Sequence, residues 1–511
     1  MLGLGDSNED VIFLVLDTIR ASTSKEQFLK DLRSLSLTSR YLRGLCIPLI
    51  FRIFRRTWDI TVRKRNEILP STLCQHVTVF ELDVGSAADI LVDEPTERLA
   101  AVFSQMSRLR TFRLINSLEL GPWPALLKAV FTTPSLTSFE IWDSPWRRPE
   151  EKFTRDSLEL PQEYSALHHF VYRVPFTDSF PRESESYGRR DRLQGLAEIS
   201  NLLVLASLIC NSVEILEIPA ELALPLTDFA YPKLREFTVQ GPEPLQTVEW
   251  TKIFLSAPQL RDVRFQTPVG STEWSTPLDW MESSIPIIYP RDDFVTRGMA
   301  NLESLIISNP SGKRQFFQLL PFGNLRTLSL KVFPLPDSTR WSGIHSQIPT
   351  SSEVLGILNA IQLFSLSTFE LSYRVDDRDC DLLSRIHFSF PGLISLEIHR
   401  FRPLAKTNSD YDPLLWMPNA LATIINLQYL KLNLDFPERP KCTDWRRDDL
   451  ERYKSFRQFL KTNVAGTFMH TLPSLKMIGV LFHDAFSSYW DTWGVSEPRE
   501  LVPQPLQPLP I

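Results

Sequence analysis

A short pattern, L-x-x-L-x-L, constrains this chain more than any other feature in it. Its clearest copy is Leu325-Arg326-Thr327-Leu328-Ser329-Leu330, whose last three positions alternate apolar, polar, apolar. That is the two-residue period of a strand with one buried face. The grammar returns at Leu109-Phe112-Leu114, Leu136-Phe139-Ile141, Leu234-Phe237-Val239, Leu260-Val263-Phe265 and Leu302-Leu305-Ile307. It returns again at Leu366-Phe369-Leu371, Leu393-Leu396-Ile398, Leu427-Leu430-Leu432 and Leu475-Ile478-Val480. Weaker copies stand at Val77-Phe80-Leu82, Leu167-Phe170-Tyr172 and Val213-Leu216-Ile218. One copy means nothing; about thirteen in series, roughly 21 to 48 residues apart, have the spacing of a repeat array.

Between the strand units lie amphipathic stretches of helical length, at residues 97–107, 123–131, 193–209, 353–364 and 414–425. Strand followed by helix, repeated, predicts right-handed βα units stacked into a parallel sheet with helices outside. Pro134, Pro232, Pro258, Pro391 and Pro473 each precede a strand unit by two residues, where proline stops a helix and extends the chain. The expected fold is therefore α/β: a solenoid over about residues 70–483, inside a domain spanning 61–490. Residues 142–164, 175–192, 267–292, 333–352, 401–413 and 436–450 are rich in Pro, Ser, Asp, Glu and Arg. They read as long surface loops, partly disordered. Residues 491–511 form a third segment, whose proline-rich end (497–511) reads as an extended, unpacked tail.

At 511 residues the chain exceeds what one compact core can serve, which suits an extended array. A net charge of -6 argues against a nucleic-acid partner held by broad phosphate neutralisation. Arg52, Arg55, Arg56, Arg63, Lys64 and Arg65, interleaved with Phe54 and Trp58, make one basic cluster. It reads either as a localisation or nucleic-acid patch or as a solvated junction, and the acidic balance favours the junction. The five cysteines (Cys46, Cys74, Cys210, Cys380, Cys442) are scattered and odd in number, the pattern of reduced thiols rather than a disulfide framework or zinc site. No apolar run approaches membrane-spanning length and no secretory signal is legible at the N-terminus. The expectation is a soluble protein, cytoplasmic and/or nuclear, with no membrane partner.

Residues 9–56 differ from all that follows. Val11, Ile12, Val15, Leu16 and Ile19 recur at helical spacing, and Leu32, Leu35 and Leu42 make a second stripe. A third element runs from Tyr41 to Arg52, with a helix break placed just before Pro48. The second half carries a family likeness: Asp31-Leu32, then Leu35-Ser36-Leu37-Thr38-Ser39-Arg40-Tyr41-Leu42-Arg43, then Leu45, Pro48-Leu49 and Phe51-Arg52. This segment resembles an F-box. The likeness covers about 45 residues and departs from the family at the front, where Asp10-Val11-Ile12-Phe13 replaces the usual Leu-Pro opening. The array behind it, with its P-x-L-x-x-L-x-L pattern, looks like the irregular leucine-rich repeats that follow F-boxes in many fungal proteins. The resemblance implies a Skp-type adaptor and a cullin complex as partners, contacted through Val11, Ile12, Leu32, Leu35, Leu45, Pro48 and Leu49 of a head domain at residues 1–60. Read without it, the head is a helical cap on the apolar end of a solenoid.

Within each unit, the residue between the last two apolar positions points away from them, toward a concave face. That column reads Glu81, Arg113, Glu140, Val171, Glu217, Thr238, Arg264, Ile306, Ser329, Glu370, Glu397, Lys431, Gly479. Two residues further on, on the same face, come Trp142, Arg173, Gln266, Lys331, His399 and Asn433. Charge of alternating sign suits a protein surface better than a polyanion. Arginines and aromatics are the usual dominant contacts, so Arg113, Glu140, Trp142, Arg173, Glu217, Arg264 and Lys431 are the expected target-binding residues.

Motifs for acyl transfer, phosphate binding, dinucleotide binding and zinc hydrolysis do not occur. No catalytic residue, cofactor or metal is expected. His168-His169 reads as one packed ring beside one exposed ring. Asp376-Asp377-Arg378-Asp379-Cys380-Asp381 lacks the glycine and terminal glutamate of a calcium loop, and reads as a charged loop capping the next helix. Two readings follow: a non-catalytic substrate receptor of a cullin-type ubiquitin ligase, or a repeat scaffold whose head is only a cap.

Overall fold

The computed structural model describes residues 9–22, 25–57, 69–84, 95–115, 124–142, 154, 167–173, 192–223, 226, 228–241, 248, 250–266, 299–308, 317, 323–332, 348–361, 363–403, 412–436, 440, 447–483, 488–496, 500–503 and 507–508. Most of the stretches expected as long loops, together with Trp58, residues 63–65 and Cys442, lie outside the described residues. The chain divides into two compact units, Met1–Pro175 with Gly188–Val213, and Phe176–Tyr187 with Glu214–Ile511.

The first unit opens with three helices, α1 (Glu9–Ser22), α2 (Lys25–Ser36) and α3 (Arg40–Ile50). Ile12, Leu16, Leu32, Leu42 and Cys46 make their shared core, with Phe28, Leu29, Leu35, Leu45, Leu49 and Ile50 packed against it. Ser39 caps α3, its Oγ accepting from the Leu42 amide at 3.1 Å. Contrary to the expected break, α3 runs through Pro48. Pro48 lies in the last turn, so only one late helical bond is forgone. The carbonyl it leaves unused belongs to Gly44, which is exposed to water.

Five strands follow in the same unit: β1 (Ile53–Thr57), β2 (Val79–Asp83), β3 (Thr111–Ile115), β4 (Ser138–Trp142) and β5 (His169–Arg173), each parallel to the next. The first was read only as a basic junction; in fact Arg55 and Arg56 sit on it. Helices α4 (Ser71–Cys74), α5 (Pro95–Gln105), α6 (Pro124–Thr132) and α7 (Arg192–Ile209) alternate with the later strands. The middle apolar positions share one register, so Phe54, Phe80, Phe112, Phe139 and Phe170 stack across the sheet. Their consecutive ring centroids are 5.6, 5.8, 5.9 and 5.9 Å apart. Such pairs add about 0.5–1.5 kcal/mol each beyond the area they bury. Phe103 of α5 closes on Phe80 and Phe112 from the helix side. In the weak copy ending at Tyr172 the apolar position is phenolic, and its buried hydroxyl donates to buried Glu198 of α7. The helix thereby supplies the polar partner that a buried tyrosine needs.

In the second unit, β6 (Ile215–Pro219), β7 (Glu236–Gln240), β8 (Asp262–Gln266), β9 (Ser304–Ile307), β10 (Thr327–Leu330), β11 (Thr368–Arg374), β12 (Ser395–Phe401), β13 (Tyr429–Leu434) and β14 (Met477–His483) pair in sequence, all parallel. Their helices are α8 (Trp250–Ser256), α9 (Ser351–Ala360), α10 (Asp379–Ser389), α11 (Pro413–Leu421), α12 (Arg447–Phe459) and α13 (Gly466–Thr471). Leu305 registers with Leu328, and Leu328 with Phe369. Every apolar triplet named from the sequence is at most 5% exposed, Leu302 being the most open.

Two features were not anticipated. The tail expected to be unpacked instead pairs: β15 (Ser488–Val495) runs antiparallel beside β14, and β16 (Leu501–Pro503) and β17 (Gln507–Pro508) pair antiparallel with β15. The second is a recurring tie between repeats. Just before the first apolar position of a unit, an asparagine or serine side chain donates to a carbonyl of the preceding unit's turn. Asn301 reaches Pro258 O at 3.0 Å, Asn324 reaches Ala300 O at 2.7 Å and Ser365 reaches Leu325 O at 2.9 Å. Asn426 reaches Pro391 O at 3.3 Å and Ser474 reaches Ile425 O at 2.6 Å. In the first unit Ser212 makes the same bond to Leu167 O at 2.8 Å. Each contributes about 0.5–1.5 kcal/mol, and all of them fix neighbouring turns relative to one another.

Candidate functional site

The side of each sheet opposite the apolar triplets carries the polar column. In the first unit, Arg55, Glu81, Arg113, Glu140 and Val171 occupy successive strands at one register. Arg113 bridges its neighbours: Nη1 donates to Glu81 Oε1 at 2.8 Å and Nε to Glu140 Oε2 at 2.7 Å. Burial alone would lower its pKa, but Glu140 and then Glu81 more than reverse this and secure the charge. Trp142 Nε1 donates to Glu140 Oε2 at 2.9 Å. The guanidinium carbons of Arg113 and Arg173 lie 5.1 and 5.2 Å from the Trp142 ring centre, a doubled cation–π contact. Arg55 closes the row on Asp83 at 2.7 Å. Four expected target-binding residues, Arg113, Glu140, Trp142 and Arg173, are thus one interlocked patch. Arg173 is its exposed member.

The other three lie in the second unit and are not brought together. Buried Glu217 accepts from Gln240 Nε2 at 2.8 Å. Arg264 faces Asp262 of its own strand at 3.6 Å and keeps 43% of its side chain in solvent. Lys431 lies against Trp490, Nζ 5.3 Å from the ring centre. Trp490 comes from β15 and is buried across the polar column. It can lie there because position 479 has no side chain: a β-carbon would meet Thr492 at 3.0 Å and Lys431 at 3.3 Å, with Trp490 at 3.6 Å. A signal for this strand exists in the sequence, since Tyr489, Trp490, Thr492 and Trp493 are all strand-favouring residues.

Beneath Trp490 is a second cluster. Lys331 Nζ sits 2.9 Å from Glu370 and 2.8 Å from Glu397. His399, fully buried, places Nε2 2.8 Å from Glu397 and Nδ1 3.3 Å from the Asn433 amide nitrogen. These partners assign the neutral tautomer: Nε2–H donates to Glu397 and Nδ1 accepts from Asn433. Burial holds His399 below its ordinary pKa despite Glu397. Burial would push Glu397 up, but the His399 hydrogen bond and the Lys331 charge hold it far below the usual carboxylate range.

On the helix side, Arg400 donates through Nε at 2.9 Å and Nη2 at 2.8 Å to Asp379 at the start of α10. Both are buried, and buried Tyr373 lies beside them, its pKa pushed well up by burial and then by Asp379. The acidic run serves two helices, by a hydrogen bond at α9 and only by charge at α10, whose N-terminus has no side-chain cap. Asp376 accepts from the Ser352 amide of α9 at 3.0 Å, while Asp379 and Asp381 stand in the first turn of α10. His168 and His169 are both partly buried rather than one in and one out.

In the head, two expected adaptor contacts are corrected. Ile12 and Leu32 are buried in the three-helix core rather than facing outward, because so small a cluster must turn its regular apolar stripes inward. Leu35, Leu45, Pro48 and Leu49 are half-buried, and the Val11 side chain lies outside the described residues. Among the described residues of the head, the exposed large apolar side chains are Leu14, Val15, Leu37 and Tyr41.

Among the described residues no group of acidic, histidine or cysteine side chains is placed to hold a metal, and no helix is long and apolar enough to cross a membrane. No protein-family model and no curated protein matches the sequence. Solved structures do match; one is the crystal structure of the leucine-rich repeat-containing protein LegL7 from Legionella pneumophila. It is 12% identical, with 73% of this chain and 97% of that one covered, at a TM-score of 0.35.

Proposed function

We propose that this chain is a non-catalytic receptor in the cytoplasm and/or nucleus. Its helical head docks a Skp-type adaptor of a cullin ubiquitin ligase, and its strand faces bind a protein target. Such a receptor works by raising the local concentration of target lysines near a recruited enzyme. The observation that carries the reading is the head: its core closes on its own residues, yet Leu14, Val15, Leu37 and Tyr41 remain in solvent. Side chains needed only to seal a repeat array would be covered. Exposed apolar groups beside a finished core fit a docking surface. For the target, Arg264 is the arginine of the expected set to test first, keeping 43% of its side chain in solvent and facing Asp262 of its own strand at 3.6 Å.

Affinity purification of the intact chain, with co-eluting proteins identified, tests both halves. Leu14→Asp with Leu37→Asp should abolish adaptor capture and leave target capture intact, while Arg264→Glu should do the reverse. If neither adaptor nor cullin co-elutes with the folded wild-type chain, the ligase reading fails and a plain interaction scaffold stands in its place.

A further inference from the structure

The second unit carries a buried cation, two of whose donors are not used among the described residues. Arg374 ends β11 and is 6% exposed, yet its Nε and Nη2 donate to nothing among the described residues. Those two atoms form one edge of the guanidinium, the edge that grips a carboxylate side-on. Two arginines nearby on the chain show the use. Arg400 clasps Asp379 through Nε and Nη2, and Arg402 clasps Asp435 through the same pair at 3.1 and 3.3 Å.

Among the described residues its surroundings supply no substitute. Arg374 registers with Phe401 on one side and bridges Thr350 on the other. Phe401 packs with Val332 and Ile348 in a small apolar cluster. Glu353 is the carboxylate that acts on Arg374 electrostatically, but burial outweighs it and lowers the Arg374 pKa. Glu353 is also committed elsewhere, its Oε2 accepting from the Thr350 amide at 2.7 Å as part of a capping box. Two residues back on the same strand, Ser372 has a fully buried hydroxyl, also without a partner among the described residues. An unpaired buried guanidinium is strongly destabilising, and Arg400, the other buried arginine among the described residues, pairs with a carboxylate.

We infer that Arg374, with Ser372 as a supporting donor, anchors an oxyanion-binding site at the C-terminal end of β11, taking a carboxylate or a phosphate group. The ends of parallel strands at which the following helices begin are where ligands of α/β sheets are held. The guanidinium fork sets the ligand's orientation, and the serine hydroxyl donates to a further oxygen. This site is independent of whether the head docks an adaptor.

The test is calorimetric titration and thermal melting of the full chain in sodium acetate and in sodium phosphate, each against sodium chloride at equal ionic strength. The wild type should give saturable binding and a raised melting temperature with at least one oxyanion. Response to phosphate alone assigns a phosphate ligand; response to acetate as well assigns a general carboxylate or phosphate site. Arg374→Met should lose the saturable response and, in chloride, melt no lower than wild type, because it removes an uncompensated charge. Arg374→Lys keeps the charge but not the fork, and should bind on the order of tenfold more weakly. Equal responses from Arg374→Met and wild type, which would reflect general salt stabilisation, overturn the site. So does absence of binding to either ion, and so does an Arg374→Met chain that melts lower in chloride or fails to fold, since the arginine is then structural.

Discussion

Arg113 and His399 occupy comparable places, each in a polar row on the strand face of its own unit, but they live in different media. Arg113 keeps 26% of its side chain in water while holding two carboxylates. His399 keeps none, lying under Trp490 with its ring centre 5.6 Å away. The first row is a half-wet ion-pair ladder, in which each charge is screened and each bond can be exchanged for another at small cost. The second is a dry network whose members must all be satisfied together. A partner can therefore compete for the first row far more easily than for the second. Displacing a pair in the first row should accordingly disturb the fold less than displacing one around His399.

The sharpest way to break this contrast is to unpair one charge in each medium. Asp379→Ala strands buried Arg400 and should lower stability by about 3–5 kcal/mol in denaturant unfolding, whereas Asp83→Ala, which frees exposed Arg55, should cost about 1 kcal/mol or less. Equal losses would mean that burial does not separate the exposed pair of the first row from the buried pair on the helix side of the second unit. Next come the cores. Phe112→Ala in the stacked spine should cost about 3–5 kcal/mol and Leu328→Ala about 2–5 kcal/mol. Hydrogen exchange should show each loss greatest in the strands beside the substitution; uniform loss over all strands after Phe112→Ala would contradict a local role for the stacked spine.

A smaller effect follows from pH. His399 is held below its ordinary 6.5 and Glu397 below its ordinary 4.5, so at both sites the unfolded chain takes the proton first. Stability from this cluster is fully present above about pH 6.5 and is lost as pH falls, through His399 first and Glu397 after it. In His399→Gln the loss just below pH 6.5 should vanish while the loss below pH 4.5 remains; an unchanged profile would show that His399 does not titrate with folding. Smallest of all, Glu81→Gln leaves Arg113 its bond to Glu140, and should shift the melting curve by about 0.2–1 kcal/mol.

Strand positions were readable because the two-residue alternation reports burial directly: Leu325, Leu328 and Leu330 could not be apolar in that order for another reason. The membership of the polar rows followed from the same alternation. Their internal wiring did not, since the clasp of Arg113 on both neighbours depends on register, which no single repeat encodes. Ile12 and Leu32 were misassigned because an apolar stripe states that a face is covered, not by what. The aspartates of the 376–381 run could be seen to cap, but the pairing of Asp379 with Arg400 joins residues 21 apart through a helix start and a strand end. Nothing in the repeat pattern announced the ties between neighbouring turns, which Asn301, Asn324 and Asn426 make from the position just ahead of the first leucine.

The closing strands of the second unit bear on solubility. A parallel stack exposes, at its last strand, a row of amides and carbonyls onto which another chain can add. Here β14 is followed by a reversed strand, and that strand by two short segments in which Pro503 stands opposite Trp493 and Pro508 opposite Tyr489. Proline has no amide proton to offer the next arrival. A proline-rich terminus that looked like slack is thus a chain terminator in the polymer sense, and a protein shortened before residue 488 should be prone to grow into aggregates from its bared edge.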